Sequence, residues 1–260
     1  MVALVSAFRP DSCVVAEVRL SPNHGERKLG GKPDMIVLHY TGMADTESAV
    51  AKLCSPASEV SAHYVVMEDG YILQCVPEAR RAWHAGTAVW DGESDINSCS
   101  IGIEIANPGH SHGYPDFPKR QIAAVTALCR SIYTRHRIPA WRVLGHSDVA
   151  PARKQDPGEK FPWRILHEVG IGLWVKPAPI IADGRVFLFG ESDPAIAEVQ
   201  GLLGKYGYEV PSTGSFDAAT RDVIAAFQRH FRPARVDGVA DTSTVATLKA
   251  LLAAREAQSD

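Results

Sequence analysis

The stretch that most clearly sets the fold is Ser100-Ile101-Gly102-Ile103-Glu104-Ile105-Ala106. Its isoleucines recur at every second position, which is the period of a β-strand and not that of a helix. Gly102 and Glu104 therefore share the face opposite the isoleucines. An ionisable side chain placed in this way faces either solvent or a functional site, and the alternation alone favours solvent.

Neighbouring segments extend this strand into a sheet. Met35-Ile36-Val37-Leu38-His39-Tyr40 is a nearly continuous apolar run that ends in polar groups, which is typical of a buried strand. Residues 63–67 and 71–76 flank the turn sequence Glu68-Asp69-Gly70, and this pattern predicts a β-hairpin.

Helical patterns lie between the strand-like segments. Lys119–His136 and the shorter Thr46–Leu53 carry apolar residues at the spacing of amphipathic helices. Because strands and helices interleave, the predicted fold class of the first part is α/β, with a mixed central sheet flanked by helices.

The character of the chain changes near Trp174. Lys176-Pro177-Ala178-Pro179 predicts a stiff extended linker. Beyond it, residues 193–205, 218–230 and 242–254 each have apolar residues at helical spacing, which predicts a small all-α three-helix domain. The predicted boundaries are residues 1–175 for the first domain, 176–190 for the linker and 191–260 for the helical domain.

Composition narrows the function classes. The chain has 260 residues, enough for two domains, and its formal net charge of -3 gives no electrostatic basis for a nucleic-acid partner. No apolar run is long enough to span a bilayer. Met1–Pro10 is briefly apolar but has no basic region and no full apolar region, so it is expected to be a poor secretory signal. The five cysteines are scattered without a C-x-x-C pair, so they are interpreted as free thiols and not as a zinc site.

A short loop collects chemically active groups: Gly145-His146-Ser147-Asp148-Val149-Ala150-Pro151-Ala152-Arg153-Lys154-Gln155-Asp156-Pro157-Gly158. It follows a strand-like run, residues 141–144, and its Pro and Gly residues predict a loop and not a helix. Hydrolytic zinc sites use three protein ligands and leave one position for water. Since strand ends of one sheet can converge, a set of His39, His146 and Asp156 is reasonable, although Asp148 is equally eligible by spacing.

Five ordered blocks give the first domain a specific resemblance. It resembles the zinc-dependent N-acetylmuramoyl-L-alanine amidases of the Amidase_2 class, whose fold is shared with peptidoglycan recognition proteins. The blocks are Val37–Thr41, Val60–Tyr64, Ala82–Gly86, Asn97 with Ser100–Glu104, and Gly145-His146 continuing through Lys154–Gly158.

The resemblance implies roles for individual residues. The family's metal ligands fall on His39, His146 and Asp156, which implies one zinc ion (Zn2+) per chain. Its catalytic acid/base falls on Glu104, and its catalytic lysine falls on Lys154.

A second group of residues matches the family motifs that line the substrate groove. Trp83, His84 and Asn97 are the expected substrate-binding residues, although Trp83 fits a core aromatic equally well. His63 is interpreted as structural.

The C-terminal helices resemble the three-helix peptidoglycan-binding domain over about residues 193–252. Most matching positions are helix core and caps, so glycan binding by this domain is left open. Phe161-Pro162-Trp163 and Gly170–Trp174 resemble the AmiD-type envelope amidases, which accept ordinary and anhydro-muramyl substrates. No lipobox is present.

The implied activity is hydrolysis of the amide bond between N-acetylmuramic acid, ordinary or 1,6-anhydro, and L-Ala of the peptidoglycan stem peptide. The alternatives are a non-catalytic peptidoglycan-recognition protein, a zinc peptidase that cuts within the stem peptide, and a cytosolic recycling amidase for anhydro-muropeptides. The expected partners are peptidoglycan or muropeptides, and a monomer is expected. The expected compartment is the bacterial cell envelope or periplasm, with the cytoplasm as the alternative.

Overall fold

The structure, a computed structural model, describes residues 8–28, 31–182 and 184–258. Residues 1–7, which carry most of the stretch tested for a secretory signal, and position 183 of the predicted linker lie outside it. The chain forms two units that alternate along the sequence. We call Met1–Gly86 with Asn97–Arg142 the sheet unit, and Thr87–Ile96 with Val143–Asp260 the helical unit.

The sheet unit contains the elements of the first part of the chain. They are β1 (Glu17–Val18), β2 (His24–Glu26), β3 (Met35–Tyr40), α1 (Thr46–Leu53), β4 (Tyr64–Val66), β5 (Ile72–Gln74), β6 (Arg80–Ala82), α2 (Ile96–Cys99), β7 (Ser100–Ile105) and α3 (Lys119–His136). Helix α2 begins one residue before the second segment of this unit, which starts at Asn97.

The main sheet of this unit is mixed, as the sequence predicts. Its strands lie in the order β1-β5-β4-β7-β3. Strands β3 and β4 both run parallel to β7, whereas β4 and β5 form the antiparallel pair of the predicted hairpin. The predicted bounds of β3, α1 and α3 match the structure. The mixed α/β fold class is therefore confirmed.

Apolar side chains fix the sheet between helices. The run 35–38 of β3 is fully buried, which explains why its sequence is continuous and not alternating. Helix α3 buries one face, with Ile122, Val125, Leu128 and Ile132 at helical spacing. Polar groups then appear where β3 ends, at His39.

The helical unit holds the later elements. They are β8 (Val143–Gly145), α4 (His146–Val149), α5 (Trp163–Glu168), α6 (Pro194–Tyr206), α7 (Ala218–Phe231) and α8 (Thr242–Glu256). The three C-terminal helices agree with the predicted three-helix pattern to within one or two residues.

Buried amides and helix caps tie the C-terminal helices together. Gln228 on α7 accepts backbone hydrogen bonds from Asp237 and Gly238 at 2.9 Å each. Asp217 and Asp241 cap the N-termini of α7 and α8. These residues all belong to the motif that resembles a peptidoglycan-binding domain, and each has a structural role here.

Trp90 is the largest fully buried side chain of the helical unit. Its ring lies edge-on to Tyr206 and Tyr208, with centroid distances of 5.7 and 4.9 Å. Gly207 has φ +132, and a Cβ there would lie 2.7 Å from the indole. A glycine is therefore required where α6 ends on Trp90.

Two local predictions are wrong. Residues 141–144 are not all strand, because Ala140–Arg142 forms a 3-10 turn and β8 begins at Val143. The following loop also starts with one helical turn, α4, since Pro151 lies beyond that turn and the Asp148 carboxylate accepts the Gly145 N–H at 2.7 Å. Among the described residues, no helix combines the length and apolar character needed to cross a membrane.

Candidate metal centre and active site

Two neighbouring parallel strands place His39 and Glu104 side by side. Strands β3 and β7 pair in a register that sets His39 opposite Glu104 and Val37 opposite Gly102. Directly paired residues of adjacent strands project from the same face of a sheet. Glu104 is half-buried there, so the sheet itself brings a carboxylate beside the histidine.

His84 supports His39 from the side. Nδ1 of His84 lies 3.0 Å from Nε2 of His39, and Nε2 of His84 lies 3.1 Å from Oγ of Ser100. A Cβ on Gly102 would come within 2.4 Å of the His84 ring, so the missing side chain makes room for it. Oδ1 of Asn97 accepts the backbone N–H groups of His84 and Ala85, at 3.0 and 2.8 Å. The segment that carries His84 is therefore held in place.

His63 lies behind this face and has a structural role. Its Nδ1 accepts the Gly102 N–H at 3.0 Å, and its Nε2 lies 3.0 Å from the Arg80 carbonyl oxygen, to which it donates. Burial, assisted by the nearby charge of Arg27, lowers the pKa of His63 to about 3. The ring is neutral at physiological pH and joins β7 to β6.

His146 and Asp156 form a close pair in the helical unit. His146 is the first residue of α4, and its Nδ1 lies 3.0 Å from Oδ2 of Asp156. The Ser147 N–H donates to the Asp156 carbonyl oxygen at 2.9 Å. A Cβ on Gly145 would lie 2.7 Å from Cδ of Pro157, which explains the glycine before His146.

The structure brings the three predicted metal ligands together. The ligand atoms of His39, His146 and Asp156 lie within 4.8 Å of one another, and all three residues are buried. Among the described residues, this is the set of His, Cys, Asp and Glu side chains that meets the geometry of a metal site. Two imidazoles and one carboxylate are ligands that zinc accepts in hydrolytic sites with an open position.

Other predicted site residues lie in defined surroundings. Lys154 is half-exposed and lines a cavity of about 170 Å³ together with Asp222 and Arg229 of α7. Trp83 is also half-buried, and its backbone N–H donates to Oγ of Ser61 at 2.9 Å. Their catalytic and substrate-binding roles stay predictions.

Sequence reasoning missed the surroundings of Asp148. Both carboxylate oxygens of Asp148 accept hydrogen bonds from within the helical unit: Tyr208 reaches Oδ1 at 2.6 Å, and His230 reaches Oδ2 at 2.7 Å. Asp148 is thus not part of the metal set, although it lies close to His146 in sequence. Its proximity to the ligand loop was visible in the sequence, but its partners were not.

Comparison with known proteins shows the family of the chain. The family model described as N-acetylmuramoyl-L-alanine amidase matches residues 29–159. The chain is 38% identical to the N-acetylmuramoyl-L-alanine amidase AmiD of Escherichia coli K12 over 233 residues, covering 84% of this chain and 82% of AmiD.

The chain belongs to the N-acetylmuramoyl-L-alanine amidase family.

Further matches extend over both parts of this amidase. It is 42% identical to the 1,6-anhydro-N-acetylmuramyl-L-alanine amidase AmpD of Escherichia coli K12, covering 59% of this chain and 79% of AmpD. A model described as a putative peptidoglycan binding domain matches residues 192–248.

Solved structures resemble this amidase over most of its length. AmiD from E. coli, in complex with anhydro-N-acetylmuramic acid-L-Ala-D-gamma-Glu-L-Lys, has a TM-score of 0.72 at 37% identity and covers 86% of this chain and 90% of that one. AmpDh3 from Pseudomonas aeruginosa, in complex with anhydromuramic pentapeptide, has a TM-score of 0.69 at 32% identity, with coverage of 89% and 94%.

Proposed function

We propose that this amidase hydrolyses the amide bond between N-acetylmuramic acid and L-Ala of the stem peptide, with one zinc ion held by His39, His146 and Asp156. The observation that carries the metal assignment is the convergence of these three buried side chains. The donor chemistry fits zinc because two imidazoles and a carboxylate leave room for a water or substrate oxygen. The thiols of the described cysteines are not part of the set.

The orientation of His39 supports this assignment. Its Nε2 is engaged with His84, so Nδ1 is the nitrogen that it would offer to a metal. A histidine ligand held through its second ring nitrogen keeps its orientation and tautomer. We propose that His84, with Ser100 behind it, orients His39 in this way.

Glu104 and Lys154 are the proposed catalytic residues. Zinc, when bound, supplies a more acidic water and polarises the scissile carbonyl. Glu104, opposite His39 on β7, accepts a proton from the attacking water and later delivers it to the leaving amine of L-Ala. The Lys154 ammonium stabilises the negative charge that develops on the carbonyl oxygen.

The remaining assignments follow the motif resemblance. Trp83, His84 and Asn97 are proposed to contact substrate, with His84 and Asn97 also supporting His39. We propose residues 1–175 as the catalytic domain, 176–190 as the linker and 191–260 as a peptidoglycan-binding-like domain.

Substrate form and compartment are proposed from the same relatives. Anhydro-muramyl peptides are included among the substrates, since AmiD and AmpDh3 have been solved with such ligands. We propose a monomer, as expected from the sequence. We propose the cell envelope as its compartment from the similarity to AmiD, with the cytoplasm as the alternative from the similarity to AmpD.

Digestion of two substrates tests the proposal. Intact sacculi and purified anhydro-muropeptides are incubated with the full chain, with and without a chelator, and the products are read by mass spectrometry. We expect intact stem peptides with a free L-Ala amino terminus, lost on chelation and restored by added zinc. Shorter peptides would indicate a peptidase. Binding to sacculi without release would indicate a recognition protein.

A further inference from the structure

We propose that Tyr208 and His230, from the C-terminal helices, position the metal-ligand loop by holding Asp148. This inference rests on the proposed zinc site, and it assigns the C-terminal helices a role in building that site which is separate from glycan binding. All of the contacts that carry it lie within the helical unit.

The Asp148 carboxylate is the centre of this arrangement. The residue is 1% exposed, yet both of its oxygens have donors. Oδ1 accepts from the Tyr208 hydroxyl at 2.6 Å, and Oδ2 accepts from Nδ1 of His230 and the Gly145 N–H, at 2.7 Å each. One side chain therefore connects the residue before His146 to the loop after α6 and to the last turn of α7.

The two donors are themselves fixed. His230 is 3% exposed and is stacked between Trp163 and Phe231, with ring centroids at 3.7 and 3.8 Å. Tyr208 is packed edge-on to Trp90 at 4.9 Å. Burial and the Asp148 charge raise the pKa of Tyr208 well above its usual value, so the hydroxyl keeps its proton and donates it.

Apolar packing converges on the same point. The Trp163 ring that stacks on His230 also lies 3.3 Å from where a Cβ of Gly145 would be. Trp163 and Pro157 therefore enclose the backbone from which α4 starts, while Asp148 bonds to it. His146 is the first residue of α4 and Asp156 precedes Pro157, so these contacts lie next to both proposed ligands along the chain.

This geometry gives Tyr208 and His230 a positioning role. Removing one donor leaves a buried carboxylate oxygen short of a hydrogen bond, and the turn that carries His146 relaxes to satisfy it. Outer contacts that orient metal ligands typically change metal affinity by about 10- to 100-fold when they are lost. Both side chains act through Asp148, one step further out, so we expect the lower end of that range.

The test compares three full-length variants. Tyr208→Phe removes the hydroxyl donor, and His230→Phe keeps an aromatic ring between Trp163 and Phe231. Tyr206→Phe is the matched control, because Tyr206 is equally buried at the end of α6 and donates none of the hydrogen bonds that hold Asp148. Zinc affinity is measured by competition with a chromophoric chelator, well below the unfolding temperature of each variant.

We expect zinc affinity to fall about tenfold in Tyr208→Phe and in His230→Phe, with Tyr206→Phe unchanged. Circular dichroism confirms that each variant is folded. A merely structural role would lower the unfolding midpoint of the zinc-free and zinc-loaded forms alike and leave affinity unchanged, which would overturn the inference.

Failure of the proposed zinc site is distinguishable from failure of the positioning role of Tyr208 and His230. If the wild-type chain does not bind one equivalent of zinc, the proposed metal site fails, whatever the variants do. If His230→Phe does not fold, Asp148→Asn replaces it, because the amide keeps the size of the side chain and loses one acceptor. Unchanged zinc affinity in both Asp148→Asn and Tyr208→Phe would overturn the inference.

Discussion

The two halves of the candidate site are held in different ways. His39 and Glu104 lie on adjacent parallel strands, where the backbone ladder fixes their register. His146 and Asp156 lie on a turn and a loop, which are held by the side chains of Asp148 and of residues far along the chain. The sheet half therefore depends on local backbone pairing, whereas the loop half depends on long-range side-chain contacts.

Because of this difference, we expect the two halves of the site to respond differently to substitutions elsewhere in the chain. A strand with both neighbours paired tolerates change in distant side chains, because the ladder still aligns its residues. The loop half has single backbone hydrogen bonds, such as that from Ser147 to Asp156, in place of a strand ladder, so it relies more on the buried Asp148 carboxylate. Substitutions in each half should therefore produce different combinations of lost turnover, lost zinc affinity and lost stability.

The largest effect is expected from Glu104→Gln in the sheet half. Removing the general acid/base should lower turnover of anhydro-muropeptides by about 10²- to 10⁴-fold. Zinc affinity should stay the same, since Glu104 is not among the three converging ligands. The control is Glu47→Gln, which removes an exposed partner of Arg19 and should leave turnover unchanged. Full turnover in Glu104→Gln would remove this residue from the mechanism.

The second-largest effect is expected from acid, which should weaken the buried polar groups around His63 and Glu78 in the sheet unit. His63 titrates near 6.5 when unfolded and near pH 3 when folded, so the unfolded state binds more protons between these values. Burial alone would raise the pKa of Glu78, but hydrogen bonds from His136, Tyr64 and Arg135 lower it from 4.5 to about 2.

Both shifts stabilise the fold at higher pH and lose their contribution as pH falls. The His63 contribution is lost from pH 6.5 toward 3, and the Glu78 contribution from pH 4.5 toward 2. Urea unfolding should show a decrease in the free energy of unfolding on the order of 3 kcal/mol between pH 7 and pH 4. Equal free energies of unfolding at pH 7 and pH 4 would contradict the lowered pKa of His63 in the folded protein.

One glycine in each half offers a direct comparison. The added methyl of Gly102→Ala meets the His84 ring, whereas that of Gly145→Ala meets Pro157 and the Asp156 backbone. Overpacking of this kind costs about 1–3 kcal/mol. Gly145→Ala should lie at the upper end, because a proline ring and a backbone cannot rotate away.

The two glycine variants are measured by urea unfolding and zinc competition. Gly25→Ala on β2 is the control, since a Cβ there has no atom within 4 Å. We expect Gly145→Ala to lose more zinc affinity than Gly102→Ala. A larger loss of zinc affinity in Gly102→Ala would mean that the metal site is more sensitive to substitution in the sheet half than in the loop half.

The smallest effect is expected at the start of α7. Asp217 accepts the Thr220 N–H at 2.8 Å, and Asp217→Ala should lower the free energy of unfolding by about 1 kcal/mol. Zinc affinity should not change, because His230 lies at the other end of the helix. Asp217→Asn keeps a capping oxygen and should be nearly neutral. A loss of zinc affinity in Asp217→Ala would mean that the loop carrying His146 and Asp156 depends on the whole of α7 and not only on His230.

The sheet half could be predicted from sequence because its signals are local. Period-two alternation placed Glu104 on the face of Gly102, and the burial of residues 35–38 agrees with the apolar run that ends at His39. The helix bounds of α1 and α3 followed from amphipathic spacing. The grouping of His39, His146 and Asp156 required family resemblance, since spacing alone left Asp148 equally eligible.

The loop half could not be predicted in the same way. The helical turn α4 was missed because Pro151 and the glycines suggested an irregular loop, whereas the hydrogen bond that the Gly145 N–H donates to the Asp148 carboxylate stabilises that turn. Tyr208 and His230 carry no local signal for this contact. Their partner is far away in sequence, and no periodic pattern encodes such a pairing.

The burial of Trp90 has a consequence for how the protein is made. During synthesis this tryptophan leaves the ribosome long before Tyr206 and Tyr208, between which its ring is finally buried. Closing so long a stretch of chain is an entropically costly, late event. The same segment supplies Tyr208 to the ligand loop, so an unfinished polypeptide leaves that loop unclamped. Burial of Trp90 thus marks the stage at which Tyr208 is in place to hold the loop that carries His146.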